Sequence, residues 1–351
     1  MNNFNDIIKD VPKTGDAPYA GDALGRSVLK RYGMSPENLA IIQSGTIKTV
    51  WRFSSGGRSY CLKRLKQTLD KALFSVNAQI YIKNSGGLVP GVIVNLGGEP
   101  VTQFNDQLFV VYEWIDGNDL NFSNPADLKL AVQGLARFHI ASKGYISPEA
   151  ARVSTKLGKW PEQYLSMKTK LAAWAETAAH STDTASHSAY ISNAGKMIPL
   201  VEKALSILNS SAYEKIATPG SASVVLCHQD YGKGNALATA DGIYVLDLDG
   251  VTLDLPARDL RKIIGKNAEN NGQWSVKSTE DILGWYMEVN PLNTDELRAL
   301  YADLTFPHWF YGLVKNQFQN GKSLKASEIE RIAGLESSKE EILRLCFRRS
   351  D

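Results

Sequence analysis

Cysteine is nearly absent: Cys61, Cys227 and Cys346 are the only three in 351 residues, and no two form a CxxC pair. That excludes a disulfide scaffold, and an odd, sparse set fits a reducing compartment. Histidine is almost as rare. His139, His180, His187, His228 and His308 are scattered, without the spacing of a zinc site. Neither sign of charge is in excess, since 39 Lys and Arg against 37 Asp and Glu leave +2. Nucleic acid or an anionic membrane would call for a basic stripe, so neither is expected as a partner. The one dense basic cluster, Arg344, Arg348 and Arg349, reads as a solvated helix end. Long apolar runs are missing too. Leu108–Tyr112 and Val224–Cys227 are strand-sized, far short of the roughly 18 residues that span a bilayer. Met1–Asp10 is polar and acidic and lacks the basic and apolar regions of a signal peptide, so synthesis in the cytosol is expected.

What is present is ordinary for a globular chain: 43% hydrophobic, 9% aromatic and 22% charged residues. At roughly 150 residues per domain the length allows about two domains, enough to bury a core without staples. Residues 1–25, rich in Gly, Asp, Pro and Asn, read as a loose lead-in, and Ser27–Tyr32 as a short helix ended by Gly33. Three β-rich segments follow, Ala40–Gln43, Thr49–Ser54 and Ser59–Leu65, punctuated by Gly45 and by Gly56-Gly57. Lys71–Lys83 has near-helical apolar spacing and stops at Gly86-Gly87, and Val92–Leu96 and Leu108–Trp114 are further strands. Beyond Gly117 the periodicity becomes helical. Helices are expected over Asn124–Ser142, Trp160–Ala179 and Ala194–Leu208 and from Asp259 onward. A polar loop is expected over Glu176–Ser188, and short strands over Val224–Cys227 and Ile243–Leu246. The expectation is an α+β chain with a small β-rich lobe over 1–115 and a large helical lobe over 116–351.

The chemistry concentrates in Cys227-His228-Gln229-Asp230-Tyr231-Gly232-Lys233-Gly234-Asn235, followed by Tyr244-Val245-Leu246-Asp247-Leu248-Asp249. This is H-x-D-x-x-x-x-N and then an acid at a strand end. Phosphoryl transfer needs a carboxylate beside the acceptor hydroxyl and hard oxygen ligands for magnesium on the phosphates. Asp230, Asn235 and Asp247 supply those groups. An Asx-rich turn and an acidic strand end are the plainer reading of the same residues.

These stretches resemble the aminoglycoside phosphotransferase and choline kinase branch of the protein-kinase-like fold. In finer detail "LCHQDYGKGNAL", "IYVLDLDGVTLDLPARDLRK", "KALFSVNAQIYI", "LFVVYEWIDG" and "TKLGKWPEQY" resemble the CotS/CotI group of bacterial spore coat proteins, over about residues 40–265. The resemblance implies a bilobal protein-kinase-like fold, ATP as donor and Mg2+ as cofactor. It makes Asp230 the catalytic base and His228 the motif histidine of the same catalytic loop, a brace. Asn235 and Asp247 match the magnesium ligands. Asp249 is either second to them or a plain solvated acid. Asp259 in "PARD" matches the acid that bonds the catalytic-loop backbone, with Arg258 and Arg261 as ion-pairing residues of its helix.

The same resemblance assigns nucleotide contacts upstream. Lys63, in "YCLKRL", matches the phosphate-binding lysine, although Arg64 and Lys66 are close by and a solvent-facing lysine is the alternative. The turn Gln43-Ser44-Gly45-Thr46-Ile47-Lys48 would lie over the phosphates, with Ser44 and Gly45 at its start. Glu113 (through its carbonyl) and Ile115 (through its N–H) match the adenine-binding hinge; a core strand ending at Gly117 explains them equally. One departure stands out. The family lysine is held by a Glu on the next helix, whereas between Lys63 and Glu99 the only acid is Asp70 and the helix middle offers Gln79. An amide orients an ammonium without neutralising it.

Other signals fail. Gly232-Lys233-Gly234 lacks the third glycine of a dinucleotide fingerprint, and Gly21–Ser27 is one residue short of a P-loop and carries Arg for Lys. His139 reads as a core histidine, His180 and His187 as loop residues, and Trp160, Trp174, Trp285 and Trp309 as core. Three readings follow: a phosphotransferase acting on a hydroxyl acceptor, a structural coat component without turnover, and a nucleotide-sensing module. The first is preferred, because a structural protein has no physical need of base, ligands and phosphate lysine at correct spacing. Nucleotide, an unidentified hydroxyl compound and other spore coat proteins are the expected partners, and the spore coat the expected destination.

Overall fold

A computed structural model describes residues 21–45, 49–180 and 185–348. The described chain forms two compact units. The first comprises the residues up to Asp119 with Tyr145–Ser154 and Gly234–Val251, and the second Leu120–Gly144, Thr155–Lys233 and the remainder from Thr252. In chain order the first unit opens with helix α1 (Asp22–Leu29), strands β1 (Glu37–Ser44), β2 (Thr49–Ser55) and β3 (Arg58–Leu65), and helix α2 (Leu69–Asn84). Strands β4 (Val92–Ile93), β5 (Thr102–Phe104), β6 (Gln107–Glu113) and β7 (Asn118–Asp119) follow. The second unit then supplies α3 (Pro125–Ser142), α4 (Trp160–Ala179), α5 (Ala185–Asn209), α6 (Tyr213–Ile216) and β8 (Val225–Cys227). Strands β9 (Ala236–Thr239) and β10 (Gly242–Val245) return to the first unit. Strand β11 (Thr252–Asp254) and helices α7 (Ala257–Asn271), α8 (Val276–Met287), α9 (Thr294–Thr305), α10 (His308–Phe318) and α11 (Ala326–Cys346) complete the second.

The β-rich unit is built on an antiparallel sheet ordered β1-β2-β3-β6-β4, with β5 also on β6. Alternation along its strands gives it two apolar faces. Trp51, Phe53, Leu62, Phe109 and Val111 join Val28 and Leu29 of α1 in one cluster. Leu65, Leu108, Val110 and Tyr112 join Ala72 and Val76 of α2 in the other. Sequence periodicity locates these elements within a few residues. It misses β5, whose connection to β6 is the two-residue turn Asn105-Asp106 with φ of +48° and +57°. Such a turn suits the right-handed twist of a hairpin, and Asn and Asp tolerate its left-handed backbone. Strand β4 is shorter than the Val92–Leu96 expected, because Asn95 turns the chain out of the sheet by accepting from the Gly97 and Glu99 N–H groups.

In the helical unit α3 begins where its signals lie: Asn124 accepts from the Ala126 and Asp127 N–H groups and Pro125 opens the helix. The polar loop expected over Glu176–Ser188 is helix at both ends, and its middle, 181–184, lies outside the described residues. α4 runs to Ala179 and α5 starts at Ala185, nine residues before Ala194, with His187 inside it. Packing overrides composition there: Ala189 and Tyr190 are buried, and the Tyr190 hydroxyl donates to the Leu171 carbonyl of α4 at 2.6 Å. His180 bonds the Glu176 carbonyl at 2.8 Å, at the end of α4. The lead-in expected over residues 1–25 lies outside the described residues up to 20; from Asp22 the chain is already α1.

Candidate active site

Within the β-rich unit the chemistry gathers at the end of β10. Strands β9 and β10 pair from Ala236↔Val245 to Thr239↔Gly242, and one step beyond the ladder the Leu246 N–H donates to the Asn235 carbonyl at 3.0 Å. This pairing sets Asn235 beside the segment that carries Asp247. Asp247 takes a left-handed backbone, φ +57° and ψ +62°, and the next three residues wind a 3₁₀ turn, Leu248–Gly250. Left-handed geometry is costly for a side-chain-bearing residue and concentrates at functional positions, Asp being among the more tolerant.

The turn meets β3. Lys63 Nζ lies 2.7 Å from Asp247 Oδ1 and 2.7 Å from Asp249 Oδ2. Strand alternation settles which of the neighbouring cations points inward. Lys63 and Arg64 are both buried, but Lys63 faces the turn while Arg64 turns the other way to Gln107 and the Gly45 carbonyl, and Lys66 is solvent-exposed. Burial pulls the Lys63 ammonium down, but Asp249 and then Asp247 outweigh it and hold its pKa above the ordinary lysine value. The Gln67 side chain fixes the turn by donating to the Asp249 carbonyl at 2.7 Å. Lys63 therefore has a second carboxylate, supplied by Asp249 and not by helix α2. Gln79, the side chain at the place of the absent glutamate, donates instead to the Pro90 carbonyl at 2.6 Å.

One ammonium against two carboxylates leaves a local charge of −1 in a partly buried site. Carboxylate and amide oxygens on a net negative turn are the hard donors that magnesium takes, so Asp247 and Asn235 fit that ion. The other positions expected to contact nucleotide are less converged. The Glu113 N–H donates to the Gly91 carbonyl at 2.9 Å, and its carboxylate accepts from the Gly91 N–H at 2.8 Å and faces Lys83 at 3.4 Å. Only glycine permits that approach, since a Cβ on Gly91 would stand 2.6 Å from Glu113 Oε2. Ile115 follows the end of β6, half-buried. Ser44 and Gly45 sit exposed at the end of β1; the rest of their turn, Thr46-Ile47-Lys48, lies outside the described residues.

The helical unit holds the H-x-D loop expected to be catalytic. His228 is fully buried and its Nδ1 accepts from the Asp230 N–H at 3.3 Å, so its ring braces the loop from within. Asp259, buried near the start of α7, accepts from the His228 N–H at 2.6 Å and the Gln229 N–H at 2.8 Å. His139 closes the network: Nε2 meets Asp259 at 3.2 Å, and Nδ1 meets the Tyr286 hydroxyl at 2.7 Å, which Asn290 donates to. Burial pushes the Asp259 carboxyl up, but His139 and His228 outweigh it and hold it below the usual carboxylate value. Gln229 has φ +69°, and Lys262 of α7 donates to its carbonyl. Asp259 and Lys262 thus grip both ends of the strained residue that precedes Asp230. His139, Cys227 and Asp259 lie close enough to suggest a metal, yet each is committed: the Cys227 thiol donates to the Leu255 carbonyl and the other two to the network just described.

The rest of α7 anchors the unit. Arg258 pairs with buried Asp254, which also accepts from Trp160 Nε1 at 3.1 Å. Arg261 donates to Asp303 at 2.9 Å, and Tyr164 and His308 bond the other oxygen of the same carboxylate. Burial first, and Arg261 second, push the His308 imidazole down to about 3. The sign of the pH effect follows. Above pH 6.5 the imidazole is neutral in both folded and unfolded chain. Between 6.5 and about 3 only the unfolded chain takes the proton, so acid favours unfolding by up to about 1.4 kcal/mol per pH unit. We expect urea midpoints of the wild type to fall more steeply than those of His308→Gln between pH 6.5 and 4.5. Parallel profiles would show that His308 is not held neutral.

This α+β architecture, with a buried lysine and two carboxylates in one unit and an H-x-D loop braced by an α7 aspartate in the other, has the fold of the aminoglycoside phosphotransferases. An aminoglycoside phosphotransferase from Alicyclobacillus acidocaldarius matches with a TM-score of 0.72 at 17% identity, covering 97% of this chain and 98% of the other. The amicoumacin kinase hAmiN, solved with AMP-PNP, Ca2+ and Ami, matches at 0.61 and 14% identity, covering 95% and 98%. The chain belongs to the family described as "Spore coat putative kinase YutH", which it matches over residues 26–345. Spore coat protein S of Bacillus subtilis (strain 168) is 22% identical over 321 residues, 90% of this chain and 92% of that one.

Proposed function

We propose that the chain is an ATP- and magnesium-dependent phosphotransferase of the spore coat, acting on a hydroxyl acceptor. The observation that carries this reading is the buried Lys63 ammonium, 2.7 Å from each of Asp247 and Asp249. Gathering a buried ammonium on β3 and two partly buried carboxylates on the facing turn is unfavourable unless something uses them, and a nucleotide with its metal does. Lys63 takes the α- and β-phosphates, the backbone at Glu113 and Ile115 takes adenine, and Ser44 and Gly45 lie over the phosphates. Asn235 and Asp247 would hold magnesium, which when bound neutralises charge on the phosphate oxygens. Asp230 orients the acceptor hydroxyl and takes its proton. In the transfer the bond from the γ-phosphorus to the β–γ bridging oxygen breaks and ADP leaves with the electron pair. The acceptor oxygen bonds the phosphorus and its proton goes to Asp230. Little covalent work falls to the protein, so positioning and charge carry the rate. Family membership supports assembly in the spore coat among other coat proteins.

Calorimetric titration of ATP with and without magnesium tests the site. Wild type is expected to bind only with the metal, and Asp247→Ala to bind at least about tenfold more weakly, the loss of one charge-assisted contact. Failure of the wild type to bind at millimolar ATP, or equal binding by the variant, would overturn the assignment.

A further inference from the structure

Within the helical unit, α7, α10 and α11 form an open pocket of about 390 Å³ lined by residues that include Arg261, Lys262, His308, Trp309 and Arg331. The volume suits a small molecule. Trp309 is seated by Gly265 of α7, where a Cβ would stand 2.4 Å from the indole, and its Nε1 donates to Glu269 at 3.2 Å. The polar lining is mostly committed. Arg261 is held by Asp303, Glu269 is paired with Lys266 at 2.8 Å, and His308 is neutral between Asp303 and Arg261. Glu328 also lines the cavity. Two cations are held less firmly. Arg331, about half exposed, pairs with Glu269 at 4.0 Å, the outer limit of an ion pair. Lys262 is partly buried and donates to the neutral Gln229 carbonyl; among the described residues no carboxylate lies within ion-pair distance of it. An ammonium with three donors, one of them placed, needs an anion. The same Lys262 grips the residue before Asp230, so the cavity adjoins the catalytic loop.

We propose that this cavity is the acceptor subsite and that it takes an anionic hydroxyl compound, a hydroxy acid or phosphate ester, whose acid group lies on Lys262 and Arg331. The proposal rests on the phosphotransfer reading above. An amino-bearing acceptor, of the kind aminoglycoside kinases are named for, would set its ammonium against Lys262 and is expected to bind more weakly than an acidic one.

The test separates the two. The full chain is titrated with glycerol 3-phosphate, D-glycerate, glycerol and 3-amino-1-propanol in the absence of nucleotide, by ligand-observed NMR, and with MgATP by calorimetry. The acidic probes are expected to bind, and to bind about tenfold more weakly to Lys262→Met. A weaker but measurable loss is expected for Arg331→Ala, which lies outside the loop contacts and controls for a loosened loop. Equal binding of the amine or of glycerol, or acidic binding unchanged in both variants, overturns the subsite even if MgATP binds. Acidic binding through Lys262 without MgATP binding keeps the anion site and removes the phosphotransfer reading.

Discussion

Asp230→Asn is expected to lower kcat by about 10²- to 10⁴-fold, the contribution of a positioned general base, with little change in MgATP affinity. The substitution is nearly isosteric, and the structure says why it leaves the loop intact. Asp230 is positioned through its backbone, its N–H donating to His228 Nδ1, while the strained Gln229 before it is fixed by Asp259 and Lys262. Those contacts survive when a carboxylate becomes an amide. The proposed nucleotide site uses Lys63, Asn235 and Asp247 and not Asp230, so calorimetry and single-turnover kinetics on one variant separate binding from chemistry. Once an acceptor is found by the probe titrations, equal single-turnover rates in variant and wild type would remove Asp230 from the role of base.

How much of this was legible in the sequence depends on how far apart the cooperating residues lie. The H-x-D-x-x-x-x-N loop is one contiguous stretch, and its spacing alone groups Asp230 with Asn235. The PARD aspartate was readable by resemblance, and Asp259 does bond the loop backbone. Asp249 was not. Its partner Lys63 lies in another strand far earlier in the chain, and only the left-handed turn at Asp247 brings the two together. A reading confined to α2 therefore found no acid for Lys63 and stopped at Gln79, which serves the Pro90 carbonyl. The same limit hid Lys262. It looks like one more cation in a basic helix start, and what distinguishes it is that Arg258 and Arg261 on either side are neutralised by Asp254 and Asp303 while it is not. Pairing across helices is a tertiary fact, and no local periodicity carries it. Trp309, expected as core, turned out to wall a cavity for the same reason.

Asp259→Ala is expected to be the most damaging single change in the helical unit, costing about 3–5 kcal/mol. The carboxylate is 1% exposed and answers three donors at once: the His228 N–H, the Gln229 N–H and His139 Nε2. Alanine leaves all three buried without an acceptor. Each orphaned group costs about 1–3 kcal/mol, and the cavity adds to the sum. His139 would also lose the partner that holds its ring toward the loop, with Tyr286 and Asn290 behind it. Because Gln229 keeps its left-handed backbone only while both ends are held, activity should fall further than stability does. Asp259→Asn separates the two effects: it keeps one acceptor and the volume, so most of the stability should return while the loop stays misaligned. The measurement pairs urea midpoints by near-ultraviolet circular dichroism with single-turnover transfer rates. A variant Asp259→Ala that unfolds at the wild-type midpoint would show that the loop is held by other contacts. A stable Asp259→Asn with full transfer would show that Lys262 alone suffices to aim Asp230.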